Sequence, residues 1–275
     1  MPDLDSPSAL QRALASALRD LPGAVELRAF GSLTRDDHDS YSDIDLEILT
    51  TTSDASIDAR QAVIERVAPI LLEWRIDPTD SAWAATILFE NLSPWRRLDL
   101  GITAVDIAAS SAARPEQTII WRQDAAPAFS VPSRTPAHAP TVGTPEHATL
   151  EHLLSATRYV KARKRGQHLT AFRFASALAS ATFAMLEAER TGDLGYLRQK
   201  PSTSTFLSLD RRLSPEDRRS LLALFDFSSP ERMDTAVLAL LQRILTLHNA
   251  LPGAGTFPSH IAERLLAFIA EELHA

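Results

Sequence analysis

The sequence contains no cysteine among its 275 residues. Disulfide bonds and thiolate-ligated zinc sites are therefore excluded, because both require cysteine sulfur. The N-terminal segment MPDLDSPSAL is acidic and lacks the apolar core of a secretory signal peptide. No run approaches the roughly eighteen consecutive apolar residues that cross a bilayer. These absences predict a cytoplasmic protein without a membrane segment.

Basic residues are also in the minority. The chain has 28 Lys and Arg against 35 Asp and Glu, which gives a formal net charge of −7 at pH 7. Proteins that bind nucleic acids usually present a basic surface, because their affinity depends on releasing counterions from phosphates. The charge balance therefore disfavours a nucleic-acid partner and favours a cationic small molecule.

Hydrophobic periodicity divides the chain into two parts. Helices are predicted over residues 6–20 and 54–73, and strands over residues 24–30, 43–50, 84–91 and 96–103. Further helices are predicted over residues 145–165, 170–190, 214–226, 229–250 and 258–273. Residues 125–145 contain five prolines. We therefore predict an α+β domain over residues 1–124, a proline-rich linker over 125–145, and an all-α bundle over 146–275.

The most informative stretch is the acidic strand that begins at residue 43. Alternation along a strand places Asp43, Asp45 and Glu47 on one face and the intervening Ile44 and Leu46 on the other. Ionised carboxylates this close repel each other, and a divalent cation relieves that repulsion. Oxygen ligands favour Mg²⁺ or Mn²⁺ over zinc. The strand therefore predicts a metal site for phosphate chemistry.

A Gly-Ser turn precedes this strand. Gly31 permits a tight turn and a close backbone approach to a ligand. Ser32 can cap a short helix whose free N–H groups bind phosphate. The alternative is an ordinary strand-to-helix turn with a serine cap. Arg35 could contact phosphate oxygens or remain a solvated surface arginine.

The order Gly31-Ser32, Arg35 and Ser42-Asp43-Ile44-Asp45-Leu46, followed about fifty residues later by Asp99, resembles the polymerase-β-type nucleotidyltransferase superfamily. The motif-bearing part covers roughly residues 24–105. The alanine-rich helical half is similar in architecture to the aminoglycoside and lincosamide adenylyltransferases. The resemblance is specific because three separated elements coincide, whereas a lone Asp-x-Asp would not be.

The resemblance implies a catalytic and metal-binding role for Asp43, Asp45 and Asp99, which would hold two Mg²⁺ ions, with Mn²⁺ also possible. It further implies nucleotide contacts from Gly31, Ser32, Arg35 and Ser42. Glu90 competes with Asp99 for the third position, and the alternative for Asp99 is an ion pair with Arg96 or Arg97.

Other polar residues carry weaker signals. Glu47 could orient a ligand or contact a cationic acceptor, although facing water is the simplest expectation. Residues 36–39, Asp-Asp-His-Asp, are expected to form a solvated loop. Glu146 and Glu151 are candidates for a base or a substrate contact, and His147 and His152 lack the spacing of a helical metal pair. Lys161, with the basic residues 163–165, could hold the triphosphate or interact with a helix C-terminus.

The resulting expectation is a Mg²⁺-dependent adenylyltransferase that moves AMP from ATP to a hydroxyl of a small molecule, such as an aminoglycoside- or lincosamide-like antibiotic. The acceptor site is expected in the cleft between the domains. Two alternatives remain: a transferase acting on a protein or RNA, and a non-catalytic nucleotide-sensing module. The sequence allows a monomer or a homodimer.

Overall fold

The computed structural model describes residues 4–34, 39–79, 82–105, 117–123, 144–198, 201–255 and 257–275. The chain divides into two compact units, Met1–Pro140 and Thr141–Ala275. The first combines a sheet with helices and the second is helical in its described part. This architecture confirms the predicted α+β fold with an all-α C-terminal part. The predicted linker falls almost entirely outside the described residues, and its bounds stay a prediction.

The sheet of the first unit has six strands in the order β3-β4-β5-β2-β1-β6. Its strands are β1 (Ala24–Phe30), β2 (Ile44–Thr50), β3 (Ile70–Thr79), β4 (Ala82–Phe89), β5 (Leu98–Ala104) and β6 (Thr118–Arg122). The central pair β2 and β5 is parallel, and every other described pairing is antiparallel. The two strands that carry the predicted acidic residues are therefore direct neighbours.

One face of this sheet forms the core with two helices, α1 (Pro7–Ala17) and α2 (Ser53–Glu65). Leu27, Leu46 and Leu100, from three adjacent strands, are buried against Leu14 of α1 and Ile64 of α2. Burying a leucine contributes about 1.5–3 kcal/mol, so this layer fixes which face each strand turns to the core. Because side chains alternate along each strand, the residues between these buried ones lie on the opposite face of the sheet.

The first unit departs from the sequence prediction at three places. The helix predicted over residues 54–73 ends at Glu65, and β3 begins at Ile70, because Pro69 cannot continue a helix. Strand β6 was not predicted. The sequence of residues 24–30 indicates Val25, Leu27 and Phe30 as candidates for the buried side of the first strand, but Phe30 lies opposite Asp45 and so shares the carboxylate face.

The second unit consists of helices in its described part. These are α3 (Pro145–Lys164), α4 (His168–Thr191), α5 (Thr203–Arg212), α6 (Pro215–Ala223), α7 (Pro230–Ala250) and α8 (Ser259–His274). Helix α5 was missed, because its serines and threonines have low helix propensity. It begins with a capping box in which Ser202 and Thr205 bond each other's backbone N–H groups. The other five helices were predicted to within a few residues.

Helix α4 corrects the expectation that no stretch could cross a membrane. By length and composition it is apolar enough to do so, with a mean hydropathy of 1.4 over an 18-residue window. Half of that window is buried inside the structure. Ala175, Leu178 and Met185 are among its buried residues, and the helix packs against α3 and α7. A buried core helix passes the same test, and α4 has that role here.

Candidate active site

Strand β2 presents its acidic residues as the alternation predicts. Asp43 directly precedes the strand, and Asp43, Asp45 and Glu47 are half-buried, whereas Ile44 and Leu46 between them are fully buried. The apolar residues lock the strand into the core, so it cannot slip by one residue without exposing them. The three carboxylates therefore share the face that is turned away from the core.

Asp99 on β5 joins this face beside Asp45. The two aspartates are direct partners in the parallel β2–β5 register. Thr86 of β4 lies opposite Asp99 on the other side, and its hydroxyl donates a 2.6 Å hydrogen bond to Oδ1 of Asp99. Glu90, the competing candidate, follows β4 in an exposed turn. The register therefore favours Asp99 as the third carboxylate.

Arg97 forms ion pairs with two of these carboxylates. Its Nη2 donates to Oδ2 of Asp43 at 2.5 Å and to Oδ2 of Asp99 at 3.3 Å. Burial by itself would lower the pKa of this guanidinium, but Asp99, Asp43 and Asp45 outweigh burial and raise its pKa above the ordinary value. The ion pair named above as the alternative for Asp99 is thus present.

The donor set fits a hard divalent cation in its chemistry. The carboxylates of Asp43, Asp45 and Asp99 share one sheet face, and carboxylate oxygens are ligands that Mg²⁺ and Mn²⁺ prefer. In the part of the chain that the structure describes, no three acidic or histidine residues are gathered closely enough to form a metal site. The residues are suitable, and Arg97 bridges two of them.

The Gly-Ser turn packs directly against Asp45. Gly31 has a φ of +73°, and a methyl group added to it would lie 2.1 Å from Oδ2 of Asp45. Residues Gly31–Thr34 form a single 3₁₀ turn, closed by a 2.9 Å hydrogen bond from the Thr34 hydroxyl to the Gly31 carbonyl. Ser32 lies inside this turn, so its prediction as a helix N-cap is wrong. Its Oγ is buried without a hydrogen-bond partner among the described residues, which suits a phosphate oxygen.

Ser42 has a structural role that its sequence did not indicate. Its side chain is fully buried, and its hydroxyl contacts the backbone N–H of Asp39 at 3.0 Å and Oδ1 of Asp39 at 3.1 Å. Arg96 donates to the carbonyls of Ser42 at 3.2 Å and Ser40 at 2.7 Å. These bonds fix the segment that delivers Asp43. The predicted nucleotide contact of Ser42 stays a prediction.

Glu47 does not simply face water. Its Oε1 accepts a 3.2 Å hydrogen bond from the Thr103 hydroxyl, and its Oε2 accepts a 3.0 Å hydrogen bond from the Gln117 amide. Gln117 also accepts from Arg28 at 3.4 Å, and Arg28 pairs with the fully buried Glu26. A polar network therefore continues along the sheet face beyond the aspartates.

Sequence reasoning missed Thr86, Thr103 and Gln117. The alternation of β4, with Trp83, Ala85 and Ile87 in the core, already places Thr86 on the polar face, so that residue could have been found. Gln117 had no such signal, because the position of β6 depends on pairing with β1. Arg35 and residues 36–38 of the acidic loop lie outside the described residues.

In the helical unit, the candidate residues Glu146, Glu151 and Lys161 differ in burial and in hydrogen bonding. Glu146 accepts a 3.0 Å hydrogen bond from the Gly255 N–H. Burial alone would raise the pKa of Glu146, but this bond and one from its own backbone N–H lower it below the ordinary value. A carboxylate with a lowered pKa is a weaker base. Glu151 is exposed, and Lys161 is half-buried. Their predicted roles stay predictions.

The basic residues around Lys161 are largely committed to helix packing. Arg163 makes a bidentate pair with Asp234 of α7, at 2.9 and 2.8 Å. Lys164 pairs with Glu272 of α8 at 3.5 Å. Two of the four residues therefore join helices within their own unit, which favours the structural alternative over triphosphate binding for those two.

Comparison with known proteins finds a family model that matches part of the first unit. Residues 12–73 match the family model described as a nucleotidyltransferase domain, a segment that includes Gly31, Asp43 and Asp45 but not Asp99. No curated protein matches the chain. Similar solved structures include the STING-associated CdnE c-di-GMP synthase from Capnocytophaga granulosa, at 13% identity over 100% of this chain and 80% of that chain. Its TM-score is 0.27, so it carries no argument about fold or substrate. The family match nevertheless shows that this chain contains a nucleotidyltransferase domain and is a nucleotidyltransferase enzyme.

Proposed function

We propose that this enzyme transfers a nucleoside monophosphate, most simply AMP from ATP, to a hydroxyl group of a cationic small molecule. An aminoglycoside- or lincosamide-like antibiotic is the acceptor class that the sequence resemblance favours. The observation that carries the proposal is the pairing of Asp45 with Asp99 in adjacent parallel strands, with Asp43 on the same face. The acidic net charge of −7 supports a cationic acceptor.

In this proposal Asp43, Asp45 and Asp99 hold Mg²⁺. When bound, the metal would neutralise charge on the triphosphate and lower the pKa of the attacking hydroxyl. The rigid sheet keeps the carboxylates in place, and the Thr86 hydroxyl fixes the orientation of Asp99. Gly31 packs closely on Asp45, and the neighbouring Ser32 hydroxyl, which has no hydrogen-bond partner among the described residues, would donate to a phosphate oxygen at this turn. The chain therefore contributes positioning and charge rather than a covalent intermediate.

The test is direct transfer. The purified protein is incubated with each α-labelled nucleoside triphosphate, Mg²⁺ and a panel of aminoglycosides and lincosamides, while pyrophosphate and labelled product are measured. We expect labelled antibiotic and stoichiometric pyrophosphate with one nucleotide. Asp45→Asn and Asp99→Asn should each reduce the rate by at least about a hundredfold, because a metal-binding carboxylate is lost.

A matched control is Asp54→Asn, which removes an exposed aspartate in the first turn of α2 and leaves the sheet face untouched. Full transfer activity is expected from it. Label that appears in protein or RNA, with none in the antibiotics, would contradict the proposed acceptor. Unchanged transfer by Asp45→Asn would contradict the proposed site.

A further inference from the structure

The guanidinium of Arg97 occupies the space between carboxylates that the proposed function assigns to a metal. One nitrogen, Nη2, is bonded to both Asp43 and Asp99, at 2.5 and 3.3 Å. The Arg97 side chain is only 9% exposed, so these contacts are poorly screened by solvent. A cation of this protein thus already neutralises the carboxylates.

A divalent cation held by Asp43 and Asp99 would bind carboxylates that the guanidinium already contacts. Oδ2 of Asp43 and Oδ2 of Asp99 accept the two Arg97 bonds, and the proposed function assigns both carboxylates to the metal. Carboxylate oxygens have several acceptor sites, but two cations close to the same pair of oxygens repel each other. Metal binding at these residues therefore requires the Arg97 ion pairs to lengthen or break.

The remainder of the Arg97 side chain is not held as firmly. Its Nε is buried without a hydrogen-bond partner among the described residues. Arg96, by comparison, is bonded to backbone carbonyls through both Nη1 and Nη2. Hydrogen bonds to backbone carbonyls therefore hold Arg96, whereas the hydrogen bonds of the Arg97 side chain to described residues go to aspartates. The position of Arg97 therefore depends on its ion pairs with these carboxylates.

We propose that Arg97 is a built-in counter-cation that stabilises the metal-free enzyme and competes with the divalent metal for Asp43 and Asp99. The inference rests on the proposed metal-binding function of these residues. Two consequences follow that the proposed function alone does not imply. Removing the arginine charge strengthens the binding of metal alone, and it makes the stability of the protein depend more strongly on metal.

The opposite role is a physical possibility that the experiment separates. An arginine that merely orients the aspartates for the metal would, on removal, weaken metal binding. If Arg97 competes with the metal, its removal raises the affinity for the metal. If Arg97 orients the aspartates, its removal lowers that affinity. Activity alone would not distinguish them, because either role can lower the rate.

The experiment compares the wild-type protein with Arg97→Met and Arg97→Lys. Mn²⁺ binding is titrated without nucleotide by the electron paramagnetic resonance signal of free Mn²⁺, and thermal unfolding is recorded in EDTA and in excess Mn²⁺. We expect Arg97→Met to bind Mn²⁺ about tenfold more tightly than the wild type. Its melting temperature should drop in EDTA and recover in Mn²⁺, because ligand binding to the native state adds stability. Arg97→Lys should lie between the two, since its ammonium keeps the charge but cannot bridge two carboxylates in the same way.

Arg60→Met is the matched control, because Arg60 makes an ion pair with Glu73 (Nε to Oε2, 3.0 Å) between α2 and β3 in the same unit. It should lose the same stability in EDTA and in Mn²⁺ and keep the wild-type affinity for Mn²⁺. If Arg97→Met does not fold, as judged by circular dichroism, Arg97→Lys still tests the sign of the change.

Mn²⁺ affinity that is equal or weaker in both Arg97 variants would overturn the inference and leave the proposed function standing. Asp45→Asn reports on the proposed function independently, since it should weaken Mn²⁺ binding in the wild-type background. If Asp45→Asn has no effect and no variant binds Mn²⁺, the metal site itself is wrong, and the inference is overturned with it.

Discussion

At the scale of single residues, the site depends on two kinds of contact that hold carboxylates in place. The first is steric: Gly31, with its positive φ of +73°, lies against Oδ2 of Asp45. The second is a hydrogen bond, from the Thr86 hydroxyl to Oδ1 of Asp99. Neither residue is acidic, yet each constrains one of the paired aspartates. Substitutions of Gly31 and Thr86 can therefore disturb the two aspartates without removing a carboxylate.

The steric contact predicts that Gly31→Ala abolishes nucleotidyl transfer. The new methyl group would lie 2.1 Å from Oδ2 of Asp45, so the carboxylate must move. The left-handed backbone adds a cost of about 1–2 kcal/mol for a residue with a Cβ. We expect transfer to fall by at least about a hundredfold, measured as pyrophosphate release, since small displacements of positioned groups cost about that much.

Gly253→Ala is the matched control for Gly31→Ala. Gly253 has a similar φ of +68°, but an added methyl group would meet nothing within 4 Å. It should lose about the same 1–2 kcal/mol through backbone strain and retain its activity. Equal losses of activity in the two variants would show that strain, rather than contact with Asp45, explains the Gly31 result.

The hydrogen bond predicts that Thr86→Val slows transfer about tenfold while Thr86→Ser keeps most of the rate. Valine has the shape of threonine without the donor, so Oδ1 of Asp99 loses a 2.6 Å hydrogen bond in a buried setting. Steady-state rates and thermal unfolding of both variants provide the measurement. A serine variant as slow as the valine variant would contradict a role for the hydroxyl.

At the scale of elements, the two faces of strand β2 have different surroundings. One face packs into the core, and the other carries the carboxylates of the candidate site. Leu46 is completely buried in the core, whereas Asp45 and Glu47 on either side are half-buried on the polar face. Leu46→Ala should therefore lower the free energy of unfolding by about 2–5 kcal/mol, through lost transfer energy and a residual cavity. Urea denaturation checks this value.

The exposed edge strand supplies a comparison for Leu46→Ala. Ile119 of β6 has 38% of its surface accessible, so Ile119→Ala should cost far less in the same urea experiment. A loss at Ile119 as large as that at Leu46 would contradict the assignment of the core face.

The elements also show where sequence reasoning succeeds. The alternation of β2 is a local pattern with a period of two, and it correctly placed Asp43, Asp45 and Glu47 away from the core. The strands that were missed or misassigned depend on less local information. Residues 70–73 continued a helical pattern from α2, and only Pro69 marked the change to β3.

The side-chain contacts within the candidate site were less predictable than the strand face on which each residue lies. Strand parity gives the side on which Arg97 lies, but it cannot say that the guanidinium bridges Asp43 and Asp99, since that depends on β5 pairing with β2. The same limit applies to Gln117, whose contact with Glu47 joins residues 70 positions apart. Nonlocal pairing, rather than residue type, decides these interactions.

At the scale of the whole molecule, the two units differ in which ionisable side chains lie partly buried. In the first unit they include acidic residues on a sheet face, accompanied by Arg97. In the second unit they include His147 and His152 on α3. Burial and, to a smaller extent, the nearby His147 together lower the pKa of His152 to about 4. Burial also lowers the pKa of His147, although Glu151 opposes this shift.

These histidine shifts predict that the protein becomes less stable as the pH falls below about 6.5. An unfolded histidine binds a proton near pH 6.5, whereas native His152 stays neutral until the pH approaches about 4. The unfolded state therefore binds more protons in this window, and the free energy of unfolding decreases as the pH decreases. His152→Asn removes the titrating group, and it should reduce the loss between pH 7 and pH 5 by on the order of 1–2 kcal/mol. Urea denaturation at both pH values gives the loss for each variant, with the exposed His260 replaced in His260→Asn as the control. Because all three proteins have the same carboxylates, an identical loss in the wild type and His152→Asn would show that the His152 imidazole does not contribute.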